Sequence, residues 1–240
     1  MTTIRLDGLR PGDELAAAAR SSLYRCLAAA FSFPTPELRE AFASGQFLDE
    51  LLATAPALPF PLPADDGLRG DPTLTHEELQ QEYIRLFEVG PGRPPCPLYE
   101  GIHRSGRMKI MEELVRFYEH FGLRHEAGDL PDHLCAELEF MHYLAFKEAA
   151  ALHTGADSQP YRLAQRDFLR RHLSRWLPKV RQRLERLDPP RLYLSLARLA
   201  EEACRRDVRS LESGRGKPDK QMGLCPTDEE GPSGDKLNVR

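Results

Sequence analysis

Apolar positions recur at helical spacing through almost the whole chain. Leu134, Leu138, Met141, Ala145 and Leu152 mark one face of a segment over residues 131–153, and Phe140, Tyr143, Leu144 and Phe146 widen that face into the stripe of a helix central to an all-helical core. Leu15, Leu23, Leu27 and Phe31 predict a helix over 13–30, capped by Asp13 and stopped by Pro34 and Pro36. Short helices are expected over 36–44 and 47–54. Thr75 followed by Glu78 is a capping box that opens a helix over 75–88. Further periodic segments cover 105–121, 160–176, 178–187 and 190–209, the last three each with a proline at or near its start. At the mouth of the central segment, Pro131 suits a first helical turn and Asp132 places negative charge beside the exposed N–H groups.

Two stretches break the pattern. Residues 55–74 hold five prolines and read as an irregular connector. Residues 90–97, Gly-Pro-Gly-Arg-Pro-Pro-Cys-Pro, can be neither helix nor central strand and form a rigid loop. No period-2 strand, internal repeat or Gly-rich phosphate loop is evident. The expected fold is all-α: a single-domain helical bundle of about nine helices over residues 1–209. Residues 210–240, polar and poor in large apolar side chains, are expected to form a disordered tail.

Composition narrows the class. The 240 residues are 41% hydrophobic and 29% charged, with apolar runs too short and too often interrupted to span a bilayer. The start lacks the uninterrupted apolar segment of a secretory signal. Five cysteines, at 26, 96, 135, 204 and 225, form no C-x-x-C pair and read as free thiols in a reducing compartment, so the expected location is cytoplasmic. The net charge of −4 conceals an asymmetry: residues 160–209 carry fourteen Lys/Arg against six Asp/Glu. The segment 126–148 carries Glu126, Asp129, Asp132, Glu137, Glu139 and Glu148 against Lys147 alone. These acids form either the solvated faces of separate helices or an acidic groove for a basic, arginine-containing peptide. The basic half has its arginines spread around helices with few interleaved aromatics, which argues against nucleic acid as a partner.

Catalytic chemistry is thinly represented. Glu139/His142 and Glu100/His103 are Glu-x-x-His pairs, the spacing that supports a di-iron site in a four-helix bundle. The second pair follows the proline loop, and no further inward pair of glutamates stands out, so no metal is expected; a di-iron helical-bundle enzyme is the alternative reading. There is no Gly-x-Ser-x-Gly elbow and no cysteine in a nucleophile context. Asp132 beside His133 makes either a cap or an oriented base without a nucleophile to serve. Tyr83, Leu86 and Phe87 share one helix face leading into the proline loop, and Pro97, Leu98 and Tyr99 add apolar surface after it. A long stiff loop of this kind is usually functional.

Together these segments resemble the TorD/DmsD/NarJ family of redox-enzyme maturation chaperones. The resemblance rests on Tyr83-x-x-Leu-Phe-x-x-Gly-Pro91, Pro97-x-Tyr-Glu100 and the block from Pro131-Asp-His133 to Leu144, with Leu23–Pro34 similar to the family's first helix. It extends over residues 15–205. Tyr83 stands where some relatives carry tryptophan, and Gly101-Ile-His103 replaces a frequent Ser-x-Tyr or Ser-x-Trp. The resemblance implies a cytoplasmic, cofactor-free, non-enzymatic protein, monomer or dimer, without membrane insertion. Its implied partner is the immature catalytic subunit of a molybdenum oxidoreductase of the dimethyl-sulfoxide-reductase class, held through a twin-arginine leader peptide until its cofactor is inserted. The implied client-contacting residues are Tyr83, Leu86, Phe87, Pro97, Tyr99, Glu100, Asp132 and His133. A leader with a basic start and an apolar core needs carboxylates beside an apolar groove, a role available to Glu100, Asp129, Asp132, Glu137 and Glu139.

Overall fold

A computed structural model of the protein describes residues 9, 12–123 and 130–213. Among these residues there are ten α-helices and no strand: α1 (Asp13–Ala30), α2 (Pro36–Ser44), α3 (Gln46–Thr54), α4 (His76–Tyr83), α5 (Glu100–His103), α6 (Arg107–His120), α7 (Leu134–Thr154), α8 (Gln159–Arg171), α9 (Leu173–Leu184) and α10 (Arg191–Ser213). Short 3₁₀ turns at Ala55–Ala57 and Asp66–Leu68 punctuate the irregular connector, and a π-turn, Ile84–Glu88, continues α4. The tail expected beyond 213, and Glu126 and Asp129, lie outside the described residues; α10 itself runs past 209 to Ser213.

The central helix is α7, and its closest partner is α1. The reason is small side chains. Ala17 and Ala18 of α1 meet Ala149 of α7 with no exposed surface or almost none, so the two backbones approach closely. Around this pair α8, α9 and α10 pack into one continuous core containing Phe140, Leu144, Phe168, Trp176, Leu177 and Leu196. Burying a side chain of this size contributes about 1.5–3 kcal/mol before ordering costs.

A charged cluster sits inside that packing. Arg20 of α1 is buried between Glu148 of α7 and Asp207 of α10. Tyr24 donates to Asp207 at 2.7 Å and Gln165 of α8 donates to Glu148 at 2.6 Å. One buried guanidinium thereby links three helices, and Gln165 ties α8 to them through Glu148.

The structure corrects several local expectations. Asp13 does not cap α1: Gly12 occupies the N-cap position, and Asp13 lies in the first turn, where its charge still favours the helix dipole. The helix expected over 160–176 breaks earlier, at His172, and α9 then runs through Pro178. Burial of Trp176, Leu177, Val180 and Leu184 on one face of α9 offsets the backbone bond that Pro178 cannot donate. The central helix begins at Leu134, with His133 as its cap: His133 Nδ1 accepts from the Cys135 N–H at 3.2 Å. The Thr75–Glu78 capping box is present as expected.

Candidate functional site

The proline loop is folded back onto the mouth of α7 by backbone bonds. Leu134 N–H donates to Leu98 O at 2.8 Å and Glu100 N–H donates to Asp132 O at 2.9 Å, an isolated antiparallel bridge centred on Tyr99 and His133. The loop's other end is held by the π-turn, where Cys96 N–H donates to Leu86 O at 2.9 Å. A π-turn closes with i→i+5 bonds, here Val89 N–H to Ile84 O at 2.9 Å.

Between these anchors lies a cavity of about 190 Å³, lined by Tyr83, Phe87, Glu88, Pro94, Leu98, Tyr99 and His133. Its walls are aromatic. The Tyr83 and Phe87 ring centroids stand 5.0 Å apart, Phe87 packs edge-on against Tyr193 at 5.3 Å, and Tyr99 meets the His133 ring at 4.9 Å. Tyr83 donates its phenolic O–H to Phe31 O at 3.0 Å, so this wall is fixed from behind. Burial pushes the Tyr83 phenol up, and Cys135 and Glu88 add to the effect. The Tyr99 phenol is also raised, by burial, then by Asp132 and Glu88. Both stay protonated near neutrality and can donate hydrogen bonds.

Four of the eight residues singled out in the sequence, Tyr83, Phe87, Tyr99 and His133, line this cavity. Leu86, Pro97, Glu100 and Asp132 are buried behind it instead. Asp132 is wholly buried. Its Oδ2 accepts from the Gly101 N–H at 3.0 Å, and its carbonyl accepts from Glu100, so it stitches the loop to α7 while the cap role passes to His133. Glu100 is equally buried, ion-paired to Arg104 and bonded to His172 Nδ1 at 2.8 Å. Glu137 accepts from the Trp176 indole N–H at 3.1 Å, and burial together with the nearby Glu100 pushes its carboxyl well above the usual range.

The expected acidic groove is therefore not assembled from these carboxylates: Glu100, Asp132 and Glu137 face inward and hold the loop, and Asp129 lies outside the described residues. Sequence reasoning missed His172, Trp176 and Arg104, which complete this network, and Glu88, which reaches the cavity. His172 and Trp176 lie more than seventy residues along the chain from Glu100, and no spacing rule links them.

The di-iron alternative loses its ligands to other partners. His142 Nδ1 lies 2.8 Å from Ser21 Oγ, Glu139 is exposed, and His103 Nε2 donates to Pro97 O at 2.6 Å while its ring stacks on Trp176. Among the described residues no three His, Cys, Asp or Glu side chains are grouped to hold a metal ion. Burial raises the Cys96 and Cys135 thiols to about 12, which keeps them un-ionised near neutrality.

Two larger clefts lie elsewhere. One of about 610 Å³ separates α2 and α4 from the α9–α10 turn, with Arg39 and Arg85 on its walls already bonded to backbone carbonyls. The other, about 570 Å³, runs between α6 and α8 over Phe117, Phe121 and Leu163.

Residues 36–182 match the family model described as nitrate reductase delta subunit, more than half of the chain. The selenate reductase assembly chaperone protein of Thauera selenatis is 50% identical over 122 residues, 49% of this chain and 63% of that relative, so the match spans less than two thirds of its length. The perchlorate reductase assembly chaperone protein of Dechloromonas aromatica (strain RCB) is 36% identical over 191 residues, 76% of this chain and 85% of the relative. The chain belongs to the TorD/NarJ family. A further member, the dimethyl sulfide dehydrogenase assembly chaperone protein of Rhodovulum sulfidophilum, is 36% identical over 206 residues, covering 79% of this chain and 80% of its own. The family match extends across α2 to α9 and so contains both anchors of the aromatic cavity. No helix among the described residues is long and apolar enough to cross a membrane.

Proposed function

We propose that this protein is a cytoplasmic, non-enzymatic assembly chaperone that binds the immature catalytic subunit of a molybdenum oxidoreductase, through the subunit's leader peptide, and holds it until its cofactor is in place. The client class follows from family members named as assembly chaperones of selenate reductase, perchlorate reductase and dimethyl sulfide dehydrogenase. The observation that carries the leader reading is the aromatic cavity at the junction of the π-turn, the proline loop and the mouth of α7. Its volume of about 190 Å³ suits one large side chain of an extended peptide rather than a folded surface. Exposed Val89, Leu130 and Phe33 are close neighbours in sequence or space of its lining, since Phe33 packs on Tyr83 at 5.5 Å. They extend the apolar surface on which the core of a leader would lie. A peptide that orders on binding loses part of its interaction energy to that ordering, so micromolar affinity is expected.

The test is client maturation with and without the chaperone. Co-expression should raise the fraction of cofactor-loaded catalytic subunit, and a Tyr99→Ala chaperone of unchanged melting temperature should lower it. Equal loading with and without the wild-type chaperone contradicts the reading.

A further inference from the structure

Among the described residues Glu88 is the only carboxylate in the lining of the aromatic cavity, and the fold brings it there by an unusual route. In a continuous α-helix of 3.6 residues per turn, residue 88 would lie roughly 140° around the axis from Tyr83 and outside the wall that Tyr83 and Phe87 make. The π-turn at Ile84–Glu88 takes an extra residue per turn and so carries position 88 back toward the face of Tyr83. The turn also frees the Leu86 carbonyl for Cys96, which draws the proline loop across to form the opposite wall.

The charge of Glu88 is unspent. Its side chain has no ion pair and no hydrogen bond among the described residues and remains exposed, in contrast to Glu100, bonded to His172, and Asp132, bonded to Gly101 N–H. It acts on both tyrosines of the cavity, since its charge contributes to raising each phenol. Arg107, which acts on Tyr99, packs its stem over Gly101 and forms no ion pair among the described residues. A narrow slot with aromatic walls and a carboxylate at its rim matches one side-chain chemistry well. A planar guanidinium stacks on aromatic faces and presents a fork to a carboxylate, whereas the compact, strongly hydrated ammonium of lysine gains less from such a slot.

We infer that Glu88 is the specificity-determining residue of this site and pairs with an arginine side chain of the bound peptide seated between Tyr83, Phe87 and Tyr99. The inference rests on the leader-binding reading above and makes it residue-specific. It also relocates the acidic contact from the buried Glu100, Asp132 and Glu137 to the π-turn.

The experiment is titration calorimetry of the full chain with a set of synthetic peptides. Each carries an apolar run of leucine and alanine, preceded by Arg-Arg, Lys-Lys or Gln-Gln. Wild type should bind the Arg-Arg peptide best and the Gln-Gln peptide worst. Glu88→Gln should weaken the Arg-Arg peptide by roughly five- to tenfold, leave the Gln-Gln peptide unchanged and keep the wild-type melting temperature. Glu88→Arg should recover affinity for a Glu-Glu version of the peptide. Wild-type binding that Glu88→Gln leaves unaltered overturns the assignment of Glu88 while sparing the cavity as a peptide site. Failure of wild type to bind any of the peptides overturns both.

Discussion

Two buried polar clusters among the described residues are built on opposite plans. In the bundle, Arg20 lies between Glu148 and Asp207, to which Gln165 and Tyr24 also donate, so opposite charges meet among four helices. Beneath the proline loop, three carboxylates, Glu100, Asp132 and Glu137, share His172, Trp176, backbone N–H groups and the partly exposed Arg104. The first cluster cross-links the scaffold. The second fastens a loop to the scaffold through bonds that are mostly to backbone and rings. The difference teaches where charge is structural and where it remains for a ligand: both buried clusters consume theirs internally, and among the described residues the cavity between loop and bundle keeps Glu88 alone.

The largest effect should come from breaking the bundle cluster. Arg20→Met leaves buried Asp207 without its cation and Glu148 with the partly exposed Arg162 alone, and should cost about 3–5 kcal/mol in urea unfolding. Adding Glu148→Gln and Asp207→Asn to the same chain should restore most of that loss, because removing all the charges together spares the desolvation cost. A loss under about 1 kcal/mol for Arg20→Met would place the cluster in the solvated class and erase the contrast.

Acid should act next, on two groups with opposite signs beneath the loop. Burial holds His103 down at about 4 against an ordinary value of 6.5. Its native state therefore binds fewer protons than its unfolded state in that window, and stability falls as pH drops from about 6.5 to about 4, by roughly 3 kcal/mol if the group acts alone. Glu137 has the opposite sign. Its folded carboxyl is raised, so its native state holds a proton that the unfolded state has lost, and stability rises as pH falls from the raised value toward 4.5. Glu137→Gln should thus stabilise at neutral pH and unmask the acid loss due to His103. His103→Gln should remove that loss. A melting profile between pH 4 and 7 that neither substitution alters contradicts both assignments.

Smaller changes test how the loop is fastened. Asp132→Ala strands the Gly101 N–H and should cost about 1–3 kcal/mol, with faster hydrogen exchange confined to residues 97–104. Asp132→Asn keeps an acceptor for Gly101 and should cost less than the alanine change. His133→Gln, at the low end, should lower stability by under about 1 kcal/mol as a lost cap. Through the lost ring contact with Tyr99, it should still weaken peptide binding measurably.

The helical fold was legible because periodic apolar positions and proline stops are local signals: the bounds of α2 and the capping box at Thr75 stand where the pattern places them. The aromatic half of the site was legible for the same reason, as Tyr83 and Phe87 are one helical turn apart. The charged half was not. Asp132 at a helix mouth reads as a cap, and only the return of the loop from residue 98 turns it inward to Gly101. Glu88 reads as the last residue of the helix over 75–88, and only an i→i+5 turn brings it beside the cavity. His172 reads as mid-helix, whereas the break there lets its ring reach Glu100. Each miss is a long-range bond or a non-α turn, and neither leaves a periodic trace.

The most direct test of the central claim compares the aromatic cavity with the wider α6–α8 cleft as the place where the client docks. A photo-reactive phenylalanine analogue is placed at Tyr99 in one variant and at Leu163 in another, and each is irradiated with the client precursor carrying its leader. The account predicts that Tyr99 yields a crosslink to the leader, reduced by excess leader peptide, and that Leu163 yields none. A leader crosslink from Leu163 with none from Tyr99 would contradict it.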